Sequence, residues 1–446
     1  MILANGTRYD SAMQDRILDS LCARLNQTLA KPAPAADTVI AAIDRLGRQV
    51  AAGAFDEQIA ALQIDNAEQY KNMAIRLLRR DYLEFKVRTE LGADFSADRV
   101  TNPPQGLAPL RVLTRPLGVL LHIAAGNADG LPAFSVAEGL VTGNINLLKL
   151  PQADNGLSVA IIEALLKIEP NLADYIYVFD TPSSDLAAIK RMADLSDGIV
   201  VWGGETAVAA VRRFAHPGTK LIEWGHRLSF AYLSGDASRQ ALADLAEHII
   251  STRQLLCSSC QVIYLNTADM DQVRSFCDRF YPVLEAEAQR HLPKTMGAAA
   301  ALTLRSRTDR LEALLDGHGD KPWHSVLCSL IAKEDSALEL SPMLGNVLVK
   351  PLPRERILEI LREKKQYLQT VGLCCPPEDR EDLTQLLIRA GVTRITTLRN
   401  MSASLPGEAH DGEYPLRRYL RTVNVELTAQ TDDGLRECTA IRPNPL

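Results

Sequence analysis

Apolar positions recur with two different periods along this chain, and the change falls near residue 110. Before it, Arg16 to Leu29, Thr38 to Ala51 and Ala67 to Leu91 carry apolar residues at three- and four-residue spacing, which predicts amphipathic helices. KPAPAAD interrupts the first two, and TNPPQGLAP closes the region because Pro103 and Pro104 cannot continue a helix. After it, short β-branched runs alternate with helical patterns. LGVLLHI (117–123), NINLLKL (144–150), YIYVF (175–179), GIVVW (198–202) and TKLIEW (219–224) predict strands. LPAFSVAEGLVTG, with Pro132 near its first turn, LSVAIIEALLKI, a stretch through Lys190, and Thr206 to Phe214 predict the helices between them. Strands apolar throughout are buried on both faces, so this grammar predicts a doubly wound, mostly parallel α/β unit.

A second α/β set starts near Leu228. LSFAYL, QVIYL (261–265), GNVLVKPL (345–352) and TRITTL (393–398) predict strands; Arg239 to Ile250, Asp269 into Arg290, and Pro353 to Glu363 predict helices. Ala298 to Leu338 has no decisive period. RYLRTVNVEL (418–427) predicts a late strand, followed by a polar tail with Pro443 and Pro445.

Composition narrows the class. With 446 residues, 46% hydrophobic and 23% charged, the chain is long enough for about three domains, and disordered, collagen-like and disulfide-scaffold readings are excluded. Lys and Arg number 49 against 55 Asp and Glu, a net charge of −6, so no basic field gathers nucleic acid and any anionic ligand must be met locally. The longest apolar stretch, Leu117 to Ala125, is interrupted by His122 and falls far short of the roughly 20 residues of a membrane span. The N-terminal segment has neither a basic nor an apolar targeting region, and a cytoplasmic protein is expected. The eight cysteines lack framework spacing, which fits reduced thiols, mostly small buried hydrophobes.

Neither G-x-G-x-x-G nor G-x-x-x-x-G-K-[ST] occurs. In VVWGGETAV, Gly203 and Gly204 follow a strand, and Glu205 opens a helix. Such a turn either admits a phosphate to a helix N-terminus or is a plain tight connection, and the sequence leaves both open. In TRQLLCSSCQVIYL, Cys257 sits between a helix and a strand, where a thiol can be reachable and its pKa lowered. Pairing with Cys260 as a C-x-x-C redox or zinc motif competes, but no second pair has ligand spacing, so no metal is expected. Asn127 follows one strand, Lys149 ends another, and Glu223 ends a third, 34 residues before Cys257. Polar groups at the carboxyl ends of strands converge on one crevice in such folds. His226 and His410 read as structural hydrogen-bonding groups, and Trp202 and Trp224 as core or crevice wall.

The order Asn127, Lys149, Gly203-Gly204, Glu223, Cys257 resembles the aldehyde dehydrogenase superfamily. The segments RPLGVLLHIAAGNADGLPAFSVAEGLVTGNINLLKLP, VVWGGETAVAAVR, RQLLCSSCQ, YLQTVGL, GVTRITTL and HDGEYPLRRYLRTVNVEL are similar to the LuxC-type acyl-CoA reductases, from about Leu113 to Leu427. The resemblance implies an aldehyde-dehydrogenase-like α/β fold: a doubly wound cofactor domain, a second α/β catalytic domain and a small oligomerisation element. It divides the chain into a mainly helical part (1–112) packing on the cofactor domain, an NADP(H)-binding domain (113–227), a catalytic domain (228–408) and a return segment with an oligomerisation strand (409–446). It implies Cys257 as acyl acceptor, Asn127 as oxyanion donor and Glu223 at the position of the superfamily's base, although EWGHR replaces the usual second glycine by His226. Lys149 would lie by the adenosine ribose, and Gly203, Gly204 and Glu205 by the pyrophosphate. Gln152 stands where NAD-preferring members often carry Glu, so a 2′-phosphate is not repelled and NADPH is expected.

The activity implied is NADPH-dependent reduction of an acyl-CoA or acyl-carrier thioester to an aldehyde through an acyl-cysteine, in a homo-oligomer, with an acyl-transfer partner protein allowed. The alternatives are an aldehyde or semialdehyde dehydrogenase or acyl-phosphate reductase on the same scaffold, and a non-catalytic or C-x-x-C redox or metal subunit of a multi-enzyme complex.

Overall fold

The computed structural model describes residues 1–427 except 63–66, 94, 96, 106, 125–129, 153, 294 and 316–322; side chains at 309, 310 and 312–314 are also outside the described set. Among the described residues, three sheets organise the chain. The first has seven strands in the order Thr7–Tyr9, Ile2–Ala4, Ile176–Phe179, Ile145–Lys149, Val119–Ile123, Gly198–Trp202, Lys220–Trp224. Its last five are mutually parallel, and the two N-terminal strands join antiparallel at one edge. The second sheet is parallel throughout, in the order Ser329–Ala332, Asn346–Pro351, Cys260–Leu265, Leu228–Leu233, Leu368–Cys374, Arg394–Thr396. The third is an antiparallel ribbon of Leu420–Glu426, Leu110–Pro116 and Arg99–Val100. No described helix is long and apolar enough to cross a membrane. Helices alternate with the strands of the first two sheets, an α/β arrangement with mainly parallel sheets, as the alternation in the sequence predicts.

The periodic N-terminal segments form helices Gln14–Leu29 and Ala36–Ala51, whose apolar stripes, including Leu21, Leu25, Ile43 and Leu46, share one core with Leu121, Leu147 and Val178 of the first sheet. The third stretch is two helices, Ala67–Leu77 and Arg80–Leu91. They separate because Asp44 of helix Ala36–Ala51 accepts the Arg80 amide at 3.0 Å, capping the second helix from outside its own sequence. Strand Leu368–Cys374, not separated from its neighbours by the pattern alone, lies at the heart of the second sheet.

Helix Leu131–Val141 covers the first sheet and carries Gly139, where a Cβ would lie 1.8 Å from Asn146 Oδ1. Asn146 cannot yield: it is fully buried, donates to Asn144 O at 2.8 Å and lies 3.0 Å from His122 Nε2. His122 Nδ1 in turn meets Ser135 Oγ at 2.7 Å, and Trp202 Nε1 donates to the same hydroxyl at 3.2 Å. Burial pushes the His122 imidazole down to about 4, so the ring is neutral in this chain of bonds. Alanine normally stabilises a helix interior over glycine by about 1 kcal/mol. Here the sign is expected to invert: Gly139→Ala should cost about 1–3 kcal/mol through overpacking, read as a lower urea midpoint with an unchanged slope. A midpoint at or above wild type would show that Asn146 moves aside.

Candidate functional site

Cys257 lies between helix Arg239–Thr252 and strand Cys260–Leu265. The helix ends in two consecutive non-glycine residues with left-handed backbones, Arg253 (φ 49°) and Gln254 (φ 61°), a costly geometry that the surroundings must hold. Gln254 is the anchor. Its Nε2 donates to Cys260 O and to Ser341 Oγ, both at 2.9 Å, its Oε1 accepts from Gly345 N at 3.1 Å, and its carbonyl accepts from Gln261 Nε2 at 3.0 Å. Ser229 Oγ donates to Cys257 O at 2.7 Å, and Ser258 and Ser402 hydroxyls meet at 2.8 Å. These bonds fix the loop on either side of Cys257, which remains an exposed residue.

Exposure does not make this thiol acidic. Cys257 keeps one open face, but protein surrounds the sulfur elsewhere, and this desolvation pushes the thiol up from its ordinary value. A hydrogen bond from Gln369 Nε2 at 3.4 Å pulls it back down, and the Asp411 charge raises it again. The expectation that the loop itself lowers the pKa is corrected, because the packing that fixes the sulfur also removes water from it. Cys260 differs in kind. It is fully buried in the second core, and burial pushes its thiol up to about 12. Its side chain faces away from solvent because strand residues alternate and its own amide is held by His248 Nε2 at 3.1 Å.

An apolar cavity of about 690 Å³ runs beside this loop. Ile43, Leu77, Phe134, Ile161 and Leu302 come from five different helices, and Leu255 and Leu256, immediately before Cys257, complete the wall with Trp202 and His410. The His410 ring stands 5.2 Å from Trp202 and 4.9 Å from Trp224, and burial lowers its pKa. Lys86 and Glu138 also reach the wall, as part of a buried ion cluster that sequence patterning had no means to separate from a solvated helix face.

The other candidates fall into two groups. Lys149, at the end of strand Ile145–Lys149, is nearly buried; among the described residues its ammonium is paired with Ser183 Oγ at 2.8 Å, and desolvation lowers its pKa against the pull of Asp180. Gln152 is exposed in the following turn. Gly203 follows strand Gly198–Trp202, two places along the sheet from the Lys149 strand, and donates to Trp224 O at 3.2 Å; Gly204 precedes helix Glu205–Phe214, which has no side-chain cap. A Cβ at Gly204 would meet nothing within 4 Å, so the turn is open to an approaching ligand. Glu205 turns away to bond the Tyr367 hydroxyl on the other unit. These features fit a dinucleotide: uncapped first-turn amides for a pyrophosphate and, two strands away in the same sheet, a strand-end cation with spare donors.

Glu223 is not joined to Cys257. Along strand Lys220–Trp224, Ile222 and Trp224 point into the cluster with Leu416 and Tyr419, so Glu223 points to the opposite face. There Arg212 grips it through two bonds of 2.6 Å. Asn127 lies outside the described residues. Gln369 and Asp411, which do reach the sulfur or its partner, come from the segments YLQTVGL and HDGEYPLRRYLRTVNVEL.

Comparison with known proteins agrees with this architecture. The long-chain acyl-protein thioester reductase of Vibrio harveyi is 25% identical over 365 residues, 79% of this chain and 73% of that protein. The protein of the same description from Aliivibrio fischeri is 23% identical over 325 residues, 71% of this chain and 65% of its own length. Among solved structures, lactaldehyde dehydrogenase from Escherichia coli superposes with a TM-score of 0.66 at 14% identity, covering 94% of this chain and 92% of that one. A bifunctional proline utilization A protein gives 0.69 at 16% identity, over 95% of this chain and 46% of its own. The acyl-CoA reductase (LuxC) family model matches residues 32–422, and the chain belongs to that family.

Proposed function

We propose that this protein reduces an acyl thioester to an aldehyde with NADPH, through an acyl group carried on Cys257. The observation that carries this reading is the adjacency of a fixed, exposed thiol to a 690 Å³ apolar cavity whose wall includes the two residues preceding it. Such a cavity suits a flexible aliphatic chain whose reactive end stops at the thiol. Lys149, Gln152, Gly203 and Gly204 are the proposed cofactor contacts, with Glu205 at the mouth of the same turn. Bound there, NADPH supplies the hydride that reduces the acyl carbon.

The chain's own residues do the rest. Cys257 sulfur bonds to the acyl carbon as the bond to the carrier sulfur breaks, and the carrier leaves with the electron pair and takes up a proton. Asn127 is the proposed oxyanion donor; one such donor is typically worth about 3 kcal/mol. After reduction, the adduct expels Cys257 as thiolate and the carbonyl of the aldehyde re-forms. No step needs an activated water, and the pairing of Glu223 with Arg212 supports a structural carboxylate here. An aldehyde-oxidising enzyme needs a base where this chain pairs one off. The exposed edge strand Leu420–Glu426, with Val423 and Val425 open to solvent, is the proposed contact for a second copy.

The test offers acyl-CoAs of increasing length without cofactor and reads intact mass, then adds NADPH and reads aldehyde. A Cys257 adduct discharged as aldehyde is expected; NADPH oxidation without an adduct, or turnover only of aldehyde with NADP⁺, overturns the reading. The cavity makes a second prediction. Ala74 lines it and is only partly buried, so Ala74→Trp should fill space at little cost to folding. It is expected to lower kcat/KM for long chains about tenfold while sparing short ones. An equal loss at all lengths would mean that the chain lies elsewhere.

A further inference from the structure

Two segments without an assigned role, YLQTVGL and HDGEYP, meet at the thiol. Gln369 is on strand Leu368–Cys374 and is 6% exposed. Its Nε2 donates to Cys257 Sγ at 3.4 Å and to Asp411 Oδ1. Asp411 has a left-handed backbone (φ 51°) and is followed by Gly412 (φ 82°), where a Cβ would stand 3.0 Å from Thr393 Cγ2. This tight turn presents the Asp411 side chain, 3% exposed, inward to Gln369 on one oxygen and to Arg227 Nε, at 2.8 Å, on the other.

A carboxylate only accepts, so Asp411 determines which end of the Gln369 amide faces it. The NH₂ end is held toward Asp411 and the sulfur, while the carbonyl end meets Thr370 Oγ1 at 3.4 Å. Rotated by half a turn, the same amide would present an acceptor to the thiol. Arg227 balances the Asp411 charge, which otherwise opposes a negative sulfur.

We propose that Gln369 is a catalytic hydrogen-bond donor to the Cys257 sulfur, held in its donating orientation by Asp411 and Arg227 as positioning residues. The proposal rests on the reading of Cys257 as acyl acceptor. An N–H donated to a thiolate is charge-assisted and roughly twice as strong as one donated to a neutral partner. Gln369 therefore favours the sulfur twice: as it attacks, and as it recovers the electron pair when the carbon–sulfur bond of the reduced adduct breaks to release aldehyde. In the acyl-enzyme between these states the sulfur is neutral and the bond is weak, so the donor does not hold the intermediate back. Among the described residues, the charged or titratable groups near the thiol are Asp411, Arg227 behind it, and His410, whose imidazole burial keeps toward the neutral form. The strand Leu228–Leu233 and the loop at Ser402 contribute only hydroxyls, from Ser229 and, through Ser258, from Ser402.

The experiment measures alkylation of Cys257 by iodoacetamide across a pH series, quantified on its peptide by mass spectrometry. Gln369→Met keeps the shape and removes the donor, and should slow alkylation at pH 7 about tenfold by moving the midpoint up about one unit. The limiting rate at high pH should not change, as a merely structural role would not predict. Gln369→Glu should move the midpoint further up. Arg227→Gln, which leaves Asp411 uncompensated, should move it in the same direction, and it reads the same coupling if the Gln369 variants do not fold. Formation of a Cys257 acyl adduct by the wild type, together with midpoints that do not move, overturns this proposal alone. Absence of any adduct overturns the reading on which it rests.

Discussion

Cys257→Ala is expected to lower thioester reduction by about 10⁴-fold or more, the scale on which removal of a covalent nucleophile is felt. The size follows from position. Cys257 is the exposed member of a loop otherwise tied down by Gln254, Ser229 and Ser258, so its loss removes the proposed acyl acceptor while leaving every anchor in place. Thermal stability should accordingly stay within about 0.5 kcal/mol of wild type. Cys260→Ala should behave in the opposite way: Cys260 is fully buried beside Ile263 and Cys277 in the second core, so the variant loses some stability and keeps its activity. Parallel rate and unfolding measurements on both variants decide the matter. Equal losses of activity would point to a dithiol pair and away from an acyl-cysteine.

Lys86→Met is expected to destabilise the protein by about 3–5 kcal/mol at neutral pH. Lys86 Nζ lies 2.5 Å from Glu90 Oε1 and 3.2 Å from Glu138 Oε1, and both carboxylates are buried. Glu90 also accepts the Leu416 amide at 2.8 Å, and its carbonyl accepts from Arg417 Nε; Glu138 accepts from the Tyr419 hydroxyl at 3.5 Å. Without the cation, two carboxylates remain buried with no positive charge between them. The pH dependence has a definite sign. Burial raises the Glu138 pKa above its unfolded value, with Lys86 opposing the rise and Glu90 adding to it. A raised folded pKa contributes stability that is fully present below the ordinary carboxylate range and is lost as pH climbs through the folded value. Removing Lys86 enlarges that rise, so the deficit of the variant should shrink on acidification and be full at neutral pH. Lys86 itself is raised above 10.5 by its two partners, despite desolvation, so its contribution persists below 10.5 and fades only as pH rises through its folded value. Urea denaturation at acidic and neutral pH measures the difference; a deficit independent of pH would mean that the carboxylates do not carry it.

The βαβ grammar was readable because buried parallel strands are apolar throughout, a local property that sequence displays directly. The N-terminal hairpin was equally local yet easily overlooked: Asn5-Gly6, both at positive φ, joins Ile2–Ala4 to Thr7–Tyr9. Its strands are three residues each, too short to assert a period among helices. Chain position also identified Cys257 as a loop thiol before a strand. It could not identify what surrounds that thiol, because Gln369 is 112 residues away and Asp411 another 42 beyond it. Glu223 was legible as a strand-end carboxylate, but which face it takes depends on register, and the register sends it to Arg212. Lys86 and Glu90, four residues apart, look like an ordinary helical ion pair. Only Tyr419, more than 300 positions later, and Glu138 turn that pair into an interior one.

The wall of the apolar cavity draws on residues from Ile43 to Pro415. Such a space is incomplete in any partly folded form in which either of these distant segments is undocked. A hydrophobic guest that enters it therefore binds the native state alone, and its free energy of binding adds to the global unfolding free energy instead of to that of one subdomain. Occupancy of the cavity by a long aliphatic thioester would slow the opening of both termini together, and hydrogen exchange in helix Ala36–Ala51 and helix Pro415–Arg418 would fall in concert.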